Sequence, residues 1–179
     1  MTLKRLIDAG GILSEIEKIV NRVKYLREND LITDAEELVI VSLEDYEDSW
    51  QLWLELGHIR MRKQDYEYAA EAFSTATNLD PNEFWPWLNL GHAQRALGDY
   101  DDAIDATENA LRVESNEKEL YLAYYNLARY NALMGRIDEA LNLLKTALEN
   151  DESLRKLARE DSDLDSLRKA PGFEFLVES

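Results

Sequence analysis

Two histidines, His58 and His92, lie 34 residues apart, each following a Leu-Gly pair. On adjacent helices that spacing would set their backbones about 8 to 10 Å apart, close enough for two imidazoles to share a metal. A metal site also needs a carboxylate or thiolate at ligand spacing, and neither local sequence supplies one. The pair therefore reads as polar surface. Asp161, Asp163 and Asp165 alternate as the opening residues of a calcium loop do, but Ser166 stands where that loop needs glycine and Gly172 where it needs a bidentate glutamate. These acids read instead as caps of short helices. The chain has no cysteine, which removes thiolate nucleophiles, thiolate-bound zinc and disulfides together. No serine has a motif that would bring a histidine and an acid beside it. The sequence therefore assigns no catalytic residue, no metal ligand and no cofactor, and the chain reads as not an enzyme.

The histidine spacing belongs to a larger pattern. Residues 84–111 superpose on residues 50–77 with Trp87, Leu90, Gly91, His92, Tyr100, Ala103 and Ala110 falling on Trp53, Leu56, Gly57, His58, Tyr66, Ala69 and Ala76. Two further units extend the comparison, the last displaced by three extra residues before Tyr121. One column reads Ala35, Ala69, Ala103, Ala140, another Val23, Gly57, Gly91, Ala128, and a third Ser42, Ala76, Ala110, Ala147. Small residues at helical spacing predict helix backbones in close approach. Within each unit two apolar runs of helical period flank a turn, with glycine ending one helix and aspartate opening the next in "LGDYD" and "MGRID". Each unit is predicted to be a helical hairpin. Asn116 and Glu119 offer a capping box where the insertion lengthens a helix.

The spacing of Trp53, Leu56, Gly57, Ala69, Phe73, Ala76 and Pro81, together with the 34-residue period, resembles the tetratricopeptide repeat (TPR). The resemblance covers roughly residues 16–154. It implies an all-α fold, a right-handed α-α superhelix in which antiparallel helix hairpins form a TPR solenoid. The organisation expected is an N-terminal helical extension at 1–15, repeats near 16–49, 50–83, 84–117 and 121–154, and a C-terminal helical cap at 155–179. In that family the first helix of each hairpin lines a groove that binds peptides or other proteins.

By that resemblance, a stripe on the first helices faces the groove. It reads Val20, Lys24, Arg27; Leu54, His58, Met61; Leu88, His92, Arg95; Tyr125, Arg129, Ala132. The columns through Lys24 and Arg27 contain no acid, and the column through Val20 is apolar or aromatic. Trp85 lies on another face from the packing residues Trp53 and Trp87. The expected peptide-binding groove is Lys24, Arg27, Leu54, His58, Arg62, Trp85, Leu88, His92, Arg95, Tyr125 and Arg129, receiving an acidic, partly apolar segment. Protonation of His58 and His92 would then strengthen binding as pH falls toward 6. The stripe also admits a plainer reading, since Arg and Lys are good helix formers at half-exposed positions. The chaperone-tail subclass of the family is not matched: of Leu54, His58, Asn89, Leu122 and Asn126, Asn89 alone agrees with its carboxylate clamp.

Acids outnumber bases 37 to 20 among 179 residues, for a formal net charge of −17. That charge opposes nucleic-acid phosphates and anionic membranes, so neither is an expected partner. The N-terminal residues lack the uninterrupted apolar core of a secretory signal, and no segment reaches the ~20 apolar residues of a membrane helix. The expectation is a cytoplasmic protein with a protein or peptide partner, with a homodimer left open. Its expected role is a scaffold or adaptor, the alternative being a small acidic chaperone for secretion or complex assembly.

Overall fold

The computed structural model describes residues 3–178, with side chains for residues 15–178. Met1 and Thr2, at the start of the expected N-terminal extension, lie outside the described residues, as does Ser179. Among the described residues there are ten α-helices, one 3-10 helix and no strand. The chain divides into two compact units after Pro81.

The first unit holds α1 (Leu3–Glu28), α2 (Ile32–Asp45), α3 (Trp50–Arg62) and α4 (Tyr66–Leu79). Helices α1 and α2 form one hairpin, α3 and α4 the next, and α3 also packs on α1 and α2. The second unit holds α5 (Phe84–Leu97), α6 (Tyr100–Arg112), α7 (Glu117–Leu133) and α8 (Ile137–Asn150) in two hairpins. It continues through α9 (Ser153–Glu160), the 3-10 helix (Ser162–Leu167) and α10 (Phe173–Glu178). The 3-10 helix packs along α7, while α9 and α10 pack on α8 and on each other. Each unit is thus all-α, built from antiparallel helix hairpins as the repeat predicts.

The alanine column explains the hairpins. Ala35, Ala69, Ala103 and Ala140 are each fully buried, and a methyl group there lets the second helix approach its partner closely. On the facing helix, what fills the space varies. A β-carbon added at Gly57 would meet the ring of Phe73 at 2.3 to 2.8 Å, and one at Gly91 would lie 2.5 Å from Thr107 Oγ1 and 3.0 Å from the Ala103 carbonyl oxygen. In the first hairpin Val23 and Val39 share a core cluster, and in the fourth Ala128 and Leu144 do. The combination of sizes at this level thus differs from hairpin to hairpin.

Helix ends follow local chemistry. Asn116 accepts from the Glu119 amide at 3.1 Å while the Glu119 carboxylate accepts from the Asn116 amide at 3.0 Å, the reciprocal arrangement that satisfies two otherwise orphaned donors. The insertion lies in the longer helix that follows, 17 residues in α7 against 13 in α3 and 14 in α5. Equivalent turn positions Asp30, Gln64, Gly98 and Gly135 all take positive φ, from 62° to 90°. The aspartate predicted to open α6 makes no side-chain cap bond at Asp99, and Asp138 lies inside the first turn of α8. There the acids act through charge at a helix N-terminus, not through a capping hydrogen bond.

Two stability outcomes follow. Gly57→Ala drives a methyl group into the Phe73 ring and should cost about 1 to 3 kcal/mol. Gln64→Gly relieves a left-handed backbone and should gain up to about 1 kcal/mol. Thermal or urea melts of the two variants should move in opposite directions from the parent.

Candidate functional site

In the second unit the predicted stripe is met by the chain's own C-terminal segment. Asp163, only 5% exposed, lies between two arginines: its Oδ2 accepts from Arg129 Nη2 at 2.7 Å, and its Oδ1 pairs with Arg95. Arg129 Nε sits 2.9 Å from Asp161 Oδ2, near enough for an ion pair though not aligned as a hydrogen bond. The Tyr125 hydroxyl donates to the same Asp161 oxygen at 2.9 Å. Burial and the neighbouring Asp161 carboxylate push the Tyr125 phenol upward from its ordinary pKa, so it remains a donor. One turn further, Ser166 Oγ donates to the Ala132 carbonyl at 2.8 Å. Tyr125, Arg129 and Ala132 are the three stripe positions of α7, and the segment touches all three.

Local geometry fixes the segment. The Asp161 carboxylate accepts from the Asp163 amide at 3.0 Å, starting the 3-10 helix, and Leu164 and Leu167 one turn apart are fully buried among Tyr125, Leu144 and Phe173. The Asp161–Asp163 alternation so close to a calcium-loop pattern is therefore one cap, Asp161, followed by a first-turn acid, Asp163, with carboxylate oxygens of both facing arginines.

In the first unit the cations meet a different acid. Glu55 of α3, 1% exposed, accepts from Arg27 Nε at 3.2 Å, and Lys24 Nζ lies 3.8 Å from its other oxygen. Burial raises the Glu55 pKa, with Arg27 and Lys24 opposing that shift. One carboxylate thus serves two cations, and the Lys24 side chain remains 48% exposed. Beside it a depression of about 320 Å³ is lined by Ile16, Glu17, Val20, Asn21, Lys24 and Gln51.

The other predicted groove residues divide. Leu54 is half-buried, and His58, also half-buried, meets the Phe73 ring edge-on at 5.5 Å. Arg62 sits at the exposed end of α3 and pairs with Asp30 at 2.7 Å. Trp85 is 42% exposed and packs edge-to-face on Phe84. Leu88 and Tyr125 are corrected: both are fully buried, Leu88 in the core with Phe84, Ala110 and Ala123, so neither presents an apolar surface to a ligand. Arg95 and Arg129 are corrected too, because they are not free cations but the partners of Asp163 and Asp161.

His92 is the third correction. Its Nε2 is closed off from solvent without a hydrogen-bond partner, and burial, with Arg129 and Arg95 nearby, lowers its pKa to about 4. It stays neutral from pH 8 to 6 and cannot strengthen acidic binding there. The unfolded chain takes up the proton near the ordinary value of about 6.5, so acidification between pH 6.5 and 4 favours unfolding. The contribution amounts to roughly 3 kcal/mol at most. Replacing His92 with Gln should flatten the fall in stability across that window, as read from urea midpoints at pH 7, 5.5 and 4.5.

Neither acid partner was assigned from the sequence, though both left a signal. Glu55 is the one acid in a column otherwise of asparagine, Asn21, Asn89 and Asn126, one repeat after Lys24 and Arg27. Asp161 and Asp163 alternate ahead of Leu164 and Leu167 in a segment beyond the repeats, the acidic and apolar pattern expected of the ligand.

A family model described as tetratricopeptide repeat matches residues 82–153, and one described as TPR repeat matches residues 57–98. No curated protein matches the chain. Solved structures with a similar fold include MamA, with 19% identity, a TM-score of 0.72 and 87% of each chain covered. YrrB, described as a TPR protein with an unusual peptide-binding site, shares 17% identity at a TM-score of 0.68, covering 89% of this chain and 82% of its own. PilF of Pseudomonas aeruginosa shares 15% identity at a TM-score of 0.77, covering 90% and 74%. The repeat columns, the buried alanines at the hairpin contacts, the two family matches and these folds together make the chain a member of the tetratricopeptide repeat family.

Proposed function

We propose that the chain is a protein-interaction scaffold that receives an acidic, partly apolar segment of another protein along the first-helix stripe. The observation that carries this reading is the seating of residues 161–167 on α7, where two carboxylates meet Arg95, Arg129 and Tyr125 and two leucines are buried. A surface that accepts such a segment from its own chain has the chemistry to accept one from another. In the first unit a related surface is open: Ile16 and Val20 floor a depression whose lining carries the half-exposed Lys24 together with the exposed Glu17. A partner's apolar side chain fits the floor while its carboxylate takes the charge of Lys24 that Glu55 leaves incompletely matched. At physiological salt the Debye length is about 8 Å, so the acids elsewhere on the surface are largely screened from this position.

The test is a panel of nine-residue peptides, acidic-apolar, neutral-apolar and basic-apolar, titrated into the full chain by fluorescence anisotropy. Acidic-apolar peptides should bind best, more weakly as salt rises. Lys24→Glu should weaken them about two- to fivefold, the scale of one exposed ion pair. Equal binding of the basic peptides, or an unchanged affinity in the Lys24→Glu variant, would reject the reading.

A further inference from the structure

We propose that residues 161–167 are a latch, a built-in competitor that occupies the second unit's stripe and must leave before a partner's segment of the same chemistry docks there. This inference rests on the proposed preference for acidic-apolar segments and adds to it a regulation of one stripe.

The contacts are those of a bound ligand. Arg95 and Arg129 come from different helices, α5 and α7, and converge on one carboxylate. Two cations held that close repel each other unless an anion lies between them, and Asp163, with Asp161 beside it, is that anion. No acid of the stripe's own columns does this work, so the stripe is complete only when something from outside it is seated. The occupant is joined to the rest of the unit by exposed residues on its C-terminal side, Arg168, Lys169, Pro171 and Gly172. Its backbone is a six-residue 3-10 helix, whose hydrogen-bond geometry is poorer than that of an α-helix. Much of its hold is therefore ionic and apolar side-chain contact, which a competing segment reproduces.

Exchange is then nearly balanced in contacts and decided by concentration. A tethered segment competes at an effective concentration on the order of millimolar, so a free partner docks only if it binds better than the latch or is delivered locally. Removing the two carboxylates should shift that competition without touching the receptor arginines.

The probe is a fluorescein-labelled synthetic peptide with the sequence of residues 159–169, measured by anisotropy against the full-length chain. The wild type should bind it at least about tenfold more weakly than the Asp161→Asn/Asp163→Asn variant, the loss of a charge-assisted contact or more. Adding Arg129→Glu to that variant should abolish the gain. Equal binding to wild type and the double variant, or no binding to a double variant whose circular dichroism is unchanged, would overturn the latch. Should the double variant fail to fold, hydrogen exchange on the wild type decides. Amides of residues 161–167 should exchange faster in 1 M than in 0.05 M NaCl while those of α7 do not change, and equal rates for both segments at both salts would overturn it. The outcome is separable from the peptide panel, because release of the segment is read without any partner and the panel responds to Lys24 in the other unit.

Discussion

Each unit depends on how closely the two helices of a hairpin approach at one level, and that distance is set by an alanine methyl. With Ala35, Ala69, Ala103 and Ala140 fully buried, the second helix lies against the first, and the opposite column must then adapt its size to the space left over. Gly57 yields to the Phe73 ring, and Gly91 leaves room for Thr107 with Tyr130 beyond it. The first-helix stripe that carries the charged residues is presented because these contacts fix the rotation of each first helix. A larger residue in the alanine column would move the stripe along with the core.

The charges on that stripe are arranged differently in the two units, for the same physical reason. A buried or half-buried cation needs an anion nearby. In the first unit the anion comes from the next first helix, where Glu55 serves Arg27 and Lys24. In the second unit it comes from beyond the repeats, where Asp161 and Asp163 serve Arg129 and Arg95. The formal charge of −17 describes the protein as a whole and says little about either site. Even His92, in the middle of the second stripe, is held neutral by burial next to arginines in a strongly acidic protein.

How much of this was legible in the sequence depends on the distance over which the determining interaction acts. Hairpins, the lengthened α7 and its capping box are governed by residues within a few turns of one another, and a 34-residue period makes them visible as columns. The stripe itself was legible as a row of side chains, but its availability was not. Leu88 and Tyr125 share a column with the half-buried Leu54, and much of what buries them is supplied by other elements: Ala110 of α6 and Ala123 of α7 around Leu88, the segment after α9 around Tyr125. The pairing of Asp163 with Arg95 spans 68 residues and breaks the repeat, so no column comparison contains it. Asp99 stands at the start of α6 as its position in the turn predicts, while Asp138 falls one step inside α8 and neither start has a side-chain capping bond: residue type at a helix start does not establish that its side chain bonds the backbone.

The unequal pairing of sizes across the hairpins bears on how a repetitive chain finds one arrangement. Four hairpins of similar sequence invite mispairing, a first helix joining the wrong second helix with its apolar columns still aligned. The pairs Val23 with Val39, Gly57 with Phe73, Gly91 with Thr107 and Ala128 with Leu144 make such exchanges unequal. Setting Val23 against Phe73 would press a branched side chain into a ring that leaves no room even for a methyl group at Gly57, and setting Gly57 against Val39 would leave empty much of the space an aromatic ring fills. Each mispairing loses contacts or creates overlap costing on the order of 1 to 3 kcal/mol. Variation within the repeat thus works as a key for each hairpin, giving correct neighbours an advantage that perfect repetition would erase.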